Sequence, residues 1–168
     1  EEMYRVNAFD WKAAFPRAMA AGGFDAVLGN PPYGAFLDKE QKAYVRTKYT
    51  SYKYKYDSYI YFMEKAISLV KRAGWVSFIT PELWLRLKNG VALRRLVAEQ
   101  TGFHVLRVFG EGVFAKAVVN TVVFLLQRGA SCEYLLVETQ NDSWQLPTDR
   151  WQSSDLLTID YRLRPATR

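Results

Sequence analysis

One stretch of the sequence decides its fold: Ala26-Val27-Leu28-Gly29-Asn30-Pro31-Pro32-Tyr33. The first half is a short apolar run typical of a buried strand, and the second half begins with the turn-forming pair Asn-Pro. Ligand sites in open α/β sheets lie at the carboxyl ends of strands. The stretch therefore predicts a buried strand and, within an α/β sheet, a functional site that begins at Asn30.

Short apolar runs alternate with helical patterns on both sides of this stretch, which is typical of an α/β fold with a mainly parallel sheet. The predicted strands cover residues 3–9, 24–29, 75–80, 104–109, 121–128 and 134–138. The predicted helices cover residues 11–21, a segment capped by Asp57 or Ser58 that ends with Lys71 and Arg72 before Gly74, and residues 90–99. After residue 140 the composition is typical of a loop or linker.

The composition is that of one domain-sized chain of 168 residues, 49% of them hydrophobic, with no apolar run as long as a membrane span. Cys132 is the only cysteine and His104 the only histidine. Those counts exclude an intramolecular disulfide, a thiolate metal cluster and a histidine-rich metal site, so we predict no metal and a reducing, cytoplasmic setting. The net charge of +6 is compatible with a polyanionic partner.

The tetrapeptide Asn30-Pro31-Pro32-Tyr33 combines fixed hydrogen-bond acceptors with an aromatic ring. The prolines fix φ and present carbonyl oxygens without N–H groups, while the Asn30 side chain offers a further acceptor. A planar amine on a heteroaromatic ring is a poor nucleophile because its lone pair is delocalised. Acceptors at Asn30 and Pro31 could each take one N–H bond and orient that lone pair. A purely structural turn explains the same four residues, and both interpretations stay open at this point.

Several ordered motifs accompany the tetrapeptide. They are Asn7-Ala8-Phe9-Asp10, the run Tyr-Asp-Ser-Tyr-Ile-Tyr-Phe at residues 56–62, the run ending Ser-Phe-Ile-Thr-Pro at residues 74–81, and Val-Phe-Ala-Lys-Ala-Val-Val-Asn-Thr at residues 113–121. In this order the sequence resembles the S-adenosylmethionine-dependent adenine-N6 DNA methyltransferases of restriction-modification systems, in particular their Eco57I-like and TaqI-like group. The resemblance runs from Asn7 to about Arg128.

The resemblance implies roles for residues on the cofactor side. Asp10 would accept a hydrogen bond from the exocyclic amine of the cofactor adenine, and Trp11 would lie beside that ring. Asn30 is the third predicted cofactor-binding residue. Asp57 and Phe62 match the family's helix-opening motif near the cofactor, although a helix cap and a core phenylalanine explain them nearly as well.

For the target side, the resemblance implies that Asn30 and Pro31 bind adenine N6, that Tyr33 stacks on one face of the base and that Phe114 closes over the other. A base inside a duplex must be flipped out to be modified, and aromatic surfaces offset part of that cost. Phe114 is explained about as well as an ordinary core aromatic.

Residues 39–61 interleave lysine and arginine with tyrosine, and this pattern fits a DNA-contacting lid. The candidate phosphate contacts are Lys48, Lys53, Lys55 and, further along the chain, Lys116. A solvated loop whose tyrosines pack on the domain is an equal alternative. His104 and Cys132 receive no catalytic role.

The fold that the resemblance implies is a Rossmann-like α/β methyltransferase fold with an antiparallel strand at residues 121–128. It would be incomplete, because the family's glycine-rich cofactor loop and the acidic residue of its second strand are expected before Asn7. We accordingly predict a catalytic half at residues 1–140 and a linker at 141–168 toward a target-recognition domain. The exposed strand edge at residues 26–29 should promote self-association, and the isolated chain should bind cofactor negligibly.

The predicted activity is site-specific adenine-N6 methylation of double-stranded DNA by a longer restriction-modification enzyme. Methylation of a protein glutamine amide or an RNA guanine amine is the alternative activity, since the same acceptors suit any planar amine or amide. A third possibility is an inactive scaffold piece that supplies DNA contacts only.

Overall fold

The computed structural model describes residues 6–34, 37–52, 57–109, 120–132, 134–139 and 143–147. A six-stranded sheet has the order β1-β2-β4-β3-β5-β6. The strands are β1 (Phe24–Gly29), β2 (Val70–Pro81), β3 (Thr101–Phe109), β4 (Thr121–Arg128), β5 (Tyr134–Glu138) and β6 (Ser143–Pro147). The helices are α1 (Trp11–Ala14), α2 (Pro16–Ala20), α3 (Lys39–Lys48), α4 (Tyr59–Leu69), α5 (Leu83–Arg86) and α6 (Val91–Gln100), with a 3-10 turn at Lys88–Gly90.

Parallel and antiparallel pairings are mixed in this sheet. β1 is parallel to β2, and β3 is parallel to β5. β4 is antiparallel to both β2 and β3, which confirms the predicted antiparallel strand at residues 121–128. The mixed α/β sheet confirms the predicted α/β fold class. The prediction of a mainly parallel sheet is wrong, because three of the five strand pairings in the described sheet are antiparallel: β2–β4, β3–β4 and β5–β6.

The core lies between the sheet and helices α4 and α6. Alternate residues of β4 point into it and are fully buried: Val122, Phe124 and Leu126. Trp84 of α5 packs against the rings of Phe124 and Phe103, at centroid distances of 5.6 and 6.3 Å. Five of the seven buried residues of α4 belong to the same core cluster as Val76 and Phe78 of β2, so α4 is fixed by the core.

The predicted strands at 24–29, 75–80, 104–109, 121–128 and 134–138 are confirmed, as is the helix at 90–99 within one residue at each end. Residues 6–9 of the first predicted strand instead form a turn and irregular backbone, and the rest of that strand lies outside the described residues. The prediction of one helix at 11–21 is wrong. Pro16 keeps Phe15 out of the helical region, at φ −131° and ψ 58°, and begins a second helix.

The predicted end of the helix that includes Lys71 and Arg72 is also wrong. α4 ends at Leu69, Val70 is already extended, and β2 begins there because Val70 pairs with Phe24 of β1. Residues 143–147, predicted as loop or linker, form β6 because they pair antiparallel with β5. The partner of Val70 is distant in sequence, and a local pattern does not contain that information. The partner of β6 is β5, the strand directly before it in the chain.

Among the helices of the described residues, none combines the length and apolar character that a membrane crossing requires. The same residues contain no cluster of three or more histidine, cysteine, aspartate or glutamate side chains that could hold a metal ion.

Candidate functional site

The Asn-Pro-Pro-Tyr loop leaves the sheet where β1 and β2 end side by side. The two strands are parallel, with Gly29 opposite Phe78, so their carboxyl ends meet at one edge. A Cβ atom at residue 29 would come within 2.9 Å of the Phe78 ring. Glycine at this position therefore lets β1 lie close to β2 immediately before Asn30.

A cleft of about 730 Å³ opens beside this loop, between β1, α1, α3 and α4. Asp10, Trp11, Asn30 and Pro31 all line it, as do Phe9 and Phe62 from the surrounding elements. Its lining is largely apolar, which is typical of pockets for small molecules with aromatic parts. Four of the predicted site residues are thus brought together around one cavity, and Tyr33 lies outside its lining.

Asp10 caps helix α1 rather than ending a strand. Its Oδ1 accepts the N–H groups of Lys12 and Ala13, each at 3.0 Å. The carboxylate is exposed and its orientation is fixed by these two bonds. A single carboxylate at the mouth of an apolar cleft can accept a hydrogen bond from a ligand amine.

Trp11 belongs to a cluster of aromatic rings. Its ring lies 4.9 Å from Phe9, 5.9 Å from Phe15 and 6.0 Å from Phe24, measured between centroids. Phe9 has 57% of its surface exposed and also lines the cleft. Phe9 is not among the residues predicted from the sequence, although its place in the Asn7-Ala8-Phe9-Asp10 motif is a visible signal.

Asn30 and Pro31 differ in exposure. Pro31 is buried, and Asn30 is exposed at the edge of the cleft. Within the described part of the chain, no hydrogen bond engages the Asn30 side-chain amide. Its oxygen is therefore accessible to a ligand from the cleft.

Tyr33 is half-buried and its hydroxyl donates to the carbonyl oxygen of Ile79 in β2, at 3.0 Å. Its ring meets Tyr59 edge-on, at 6.3 Å between centroids. Burial, with a smaller contribution from the Asp57 carboxylate, raises the pKa of Tyr33 above its ordinary value. The phenol therefore stays protonated and able to donate.

Asp57 and Ser58 do not cap α4, contrary to the sequence-based prediction. Asp57 accepts the N–H of Gly34 with both carboxylate oxygens, at 2.8 and 2.9 Å. Ser58 occupies the N-cap position, makes no side-chain cap bond, and donates its hydroxyl to the Pro32 carbonyl oxygen at 3.0 Å. Both side chains contact the loop because it passes directly beside the start of α4.

The segment after the loop contains helix α3 where a lid or solvated loop was predicted. Asp38 and Gln41 form a capping box that begins this helix. Lys39, Lys42 and Arg46 are exposed on it, and the Lys48 ammonium lies 5.9 Å from the centroid of the Tyr44 ring.

Two tyrosines of this segment pack on the domain, as the alternative interpretation expected. The ring centroids of Tyr49 and Tyr52 lie 5.3 and 6.4 Å from that of Tyr61 of α4. The carboxylate of Glu64, also on α4, accepts from the Thr50 amide and hydroxyl and from the Ser51 amide, at 2.8 to 2.9 Å. Lys53, Lys55, Phe114 and Lys116 lie outside the described residues.

Solved structures of other proteins share the fold of this chain. The type IIG restriction endonuclease BpuSI superposes with a TM-score of 0.69 at 17% identity, over 89% of this chain and 22% of that protein. A type I restriction-modification methyltransferase subunit from Streptococcus thermophilus gives a TM-score of 0.62 at 17% identity, over 88% of this chain and 32% of the subunit. These likenesses show the methyltransferase fold.

Two sequence relatives are methyltransferases by name. The type II restriction enzyme and methyltransferase RM.Eco57I of Escherichia coli is 26% identical over 90% of this chain and 15% of its own length. The type II methyltransferase M.TthHB8I of Thermus thermophilus is 32% identical over 63% of this chain and 26% of its own length. The chain therefore spans about a quarter or less of these two relatives.

The Eco57I restriction-modification methylase family matches residues 1–114, which include β1, the Asn-Pro-Pro-Tyr loop and the whole described lining of the cleft. The sequence resemblance is thereby confirmed at the level of the family. This chain belongs to the Eco57I restriction-modification methylase family.

Proposed function

We propose that this chain supplies the catalytic half of an S-adenosylmethionine-dependent DNA methyltransferase that methylates adenine N6 within a cytoplasmic restriction-modification system. The observation that carries the proposal is the position of Asn30 and Pro31. Both follow β1 directly and line the same cleft as Asp10 and Trp11. An acceptor pair for a planar amine thus borders a cavity suited to an aromatic cofactor.

The cleft fits the cofactor in size and chemistry. Its apolar walls and the exposed ring of Phe9 suit an adenine ring, and the Asp10 carboxylate can accept from its amine. Trp11 would support that ring from within its aromatic cluster. Bound S-adenosylmethionine supplies an electrophilic methyl group.

The residues of the loop act on the target amine. The Asn30 side-chain oxygen and the Pro31 carbonyl oxygen each accept one N–H bond, which fixes the amine and draws its lone pair out of conjugation with the ring. Because these acceptors are held in place before the reaction, little reorganisation is needed. Tyr33 and Phe114 would stack on the two faces of a flipped adenine.

DNA is the proposed macromolecular partner. Lys48 stands at the exposed end of α3, next to the exposed cations of the same helix, and we propose that it contacts phosphate together with Lys53, Lys55 and Lys116. Phosphate contacts of this kind set register on the duplex and carry no sequence information. Residues 141–168 are proposed to lead toward a target-recognition domain, with β6 as the last described part of the sheet.

The test is methylation by the complete polypeptide that carries this chain, with Asn30→Ala as the variant. Loss of one preorganised donor or acceptor typically costs about a hundredfold to a thousandfold in rate. Single-turnover transfer of labelled methyl groups to duplex DNA should fall by that factor while DNA binding stays unchanged. Mass spectrometry of the digested product should identify N6-methyladenine.

The same assay separates the alternatives. Methyl transfer to RNA or to a protein glutamine, but none to DNA, would overturn the proposed substrate. Asn30→Ala within a few-fold of wild type would remove Asn30 from the reaction. Transfer to none of the three substrates would leave a DNA-binding scaffold.

A further inference from the structure

We propose that Asp57 and Ser58 are positioning residues that hold the Asn-Pro-Pro-Tyr loop in its working geometry. This inference rests on the proposed function of that loop. In this role, the two residues at the start of α4 do not touch a substrate and do not cap the helix.

The first observation is the set of bonds that crosses from α4 to the loop. The Asp57 carboxylate takes the Gly34 amide hydrogen with both oxygens, and the Ser58 hydroxyl donates to the Pro32 carbonyl. Hydrogen bonds to an ionised carboxylate are stronger than neutral ones. Ser58 is 4% exposed, so its bond forms away from most of the solvent.

The second observation is that helix α4 has no side-chain cap from Ser58. Aspartate and serine directly before a helix normally accept hydrogen bonds from its first amides. Ser58 instead has helical dihedral angles, φ −59° and ψ −32°, and makes no side-chain cap bond. The helix thus forgoes a common source of stability while both side chains bind the loop.

The third observation is the backbone of the loop itself. Gly34 has φ +67°, a conformation that glycine adopts without strain. No atom lies within 4 Å of the position that a Cβ would take there, so the glycine is required by the backbone conformation and not by space. The two prolines before it have fixed φ. Few backbone torsions of the loop stay free to rotate once Asp57 holds the Gly34 amide.

The loop is also anchored on its other side. The Tyr33 hydroxyl donates to Ile79 of β2, so residues 32, 33 and 34 are each bonded to a different partner. Those partners belong to β2 and to the start of α4, which are held by the core. Asn30 and Pro31 lie between the end of β1 and these bonds, and their positions follow from both.

Glu64 fixes the far end of the following segment to the same helix. Its carboxylate accepts from Thr50 and Ser51, just after α3. Residues 34 and 51 are therefore both attached to α4, which makes this helix the common reference for the loop and for α3. Removal of Asp57 should release the loop end and leave the α3 end attached.

Activity of the complete polypeptide tests the role in positioning. A displacement of about 1 Å in a catalytic group costs on the order of a hundredfold in rate. We expect Asp57→Ala to lower kcat by about 30- to 100-fold, with KM for DNA and for cofactor within about threefold. Asp57→Asn, which keeps one acceptor oxygen, should lose less. Ser58→Ala should also lower kcat, and Ser58→Thr should restore most of it because the hydroxyl is retained.

Two matched controls come from β1 and from the last turn of α4. Asp25→Ala removes an exposed carboxylate of β1 that forms an ion pair with Lys71, and Ser68→Ala removes a hydroxyl of α4 that donates to the Lys65 carbonyl oxygen. Both should keep kcat near wild type. A loss of kcat in the controls equal to that in Asp57→Ala would assign the effect to general destabilisation and overturn the proposal.

Hydrogen exchange of the Gly34 amide gives a readout independent of activity. In the labelled chain, Asp57→Ala should speed exchange of this amide by about tenfold or more, while Asp25→Ala leaves it unchanged. Unchanged exchange in Asp57→Ala would overturn the anchor. If the wild-type polypeptide methylates no substrate, the proposed function fails, and the Gly34 exchange rate still decides whether Asp57 holds the loop.

Discussion

Strands β1 and β4 are both rich in apolar residues, yet the structure uses them in opposite ways. Val122, Phe124 and Leu126 of β4 are fully buried. β1 has no buried residue, and Leu28 in it is 75% exposed. β4 is paired on both sides, whereas β1 is the terminal strand of the described sheet. The difference places the proposed reaction site at a terminal edge of the described sheet, next to a strand with no buried residue and not next to the buried strand β4.

The largest expected effect is on the free energy of unfolding. It is tested with one phenylalanine in the core and one in the cleft. Phe124→Ala leaves a cavity beside Phe78, Trp84 and Phe103, and truncation of a buried phenylalanine costs about 3 to 5 kcal/mol. Phe62→Ala, at a cleft residue that is 49% exposed, should cost less than about 1 kcal/mol. Denaturant unfolding of the chain measures both free energies. Equal losses of unfolding free energy in the two variants would contradict the distinction between a core residue and an exposed cleft residue.

A smaller effect is expected where stacking on the target base is proposed. Phe114→Ala in the complete polypeptide should weaken capture of the flipped base by about 1 to 3 kcal/mol, the usual value of stacking per base. A fluorescent adenine analogue at the target position reports flipping, and binding to nonspecific duplex is the control. An unchanged fluorescence signal together with an unchanged methylation rate would make Phe114 a structural residue.

The smallest effect concerns the free edge of β1. Residues 26–29 carry no charge and no proline, and such an edge can pair with another chain. We expect the isolated chain to self-associate with rising concentration and Leu28→Lys to weaken that association by about tenfold, which is about 1.4 kcal/mol. Sedimentation velocity measures the change. Leu87→Lys, at a residue 39% exposed after α5, is the control, and an equal change there would show that the edge is not the contact.

The sequence predicted the elements whose signal is local. β4 and α6 were found from their apolar patterns, and Asn30 was placed correctly at the end of a strand. The beginning of β2 was missed because it exists through pairing with Phe24, which is distant in sequence. β6 pairs with β5, the strand directly before it, and was missed because its polar, proline-containing sequence is typical of a loop. No pattern within residues 70–74 distinguishes a strand stabilised by a partner from a helix end.

The site shows the same division. The family resemblance implied that Asp10 and Asn30 serve one ligand site, and both line one cleft, whereas it did not imply that Asp57 contacts the loop. A carboxylate that caps a helix and one that holds a neighbouring loop look identical in sequence, since both stand just before the first turn. Helix α3 is different, because the Asp38 and Gln41 spacing of a capping box was visible and could have predicted it.

The parallel pairing of β1 with β2 also has a consequence for how the protein folds. β3 and β4 come together across a short interval of chain, while β1 and β2 are separated by residues 30–69, which include the loop, α3 and α4. Closing the longer interval costs more chain entropy, and contacts between distant residues form slowly. We therefore expect the β3–β4 hairpin to form early and the loop beside β1 to acquire its final geometry late. Reaction competence would then appear only at the last stage of folding, after the hydrophobic core has already closed.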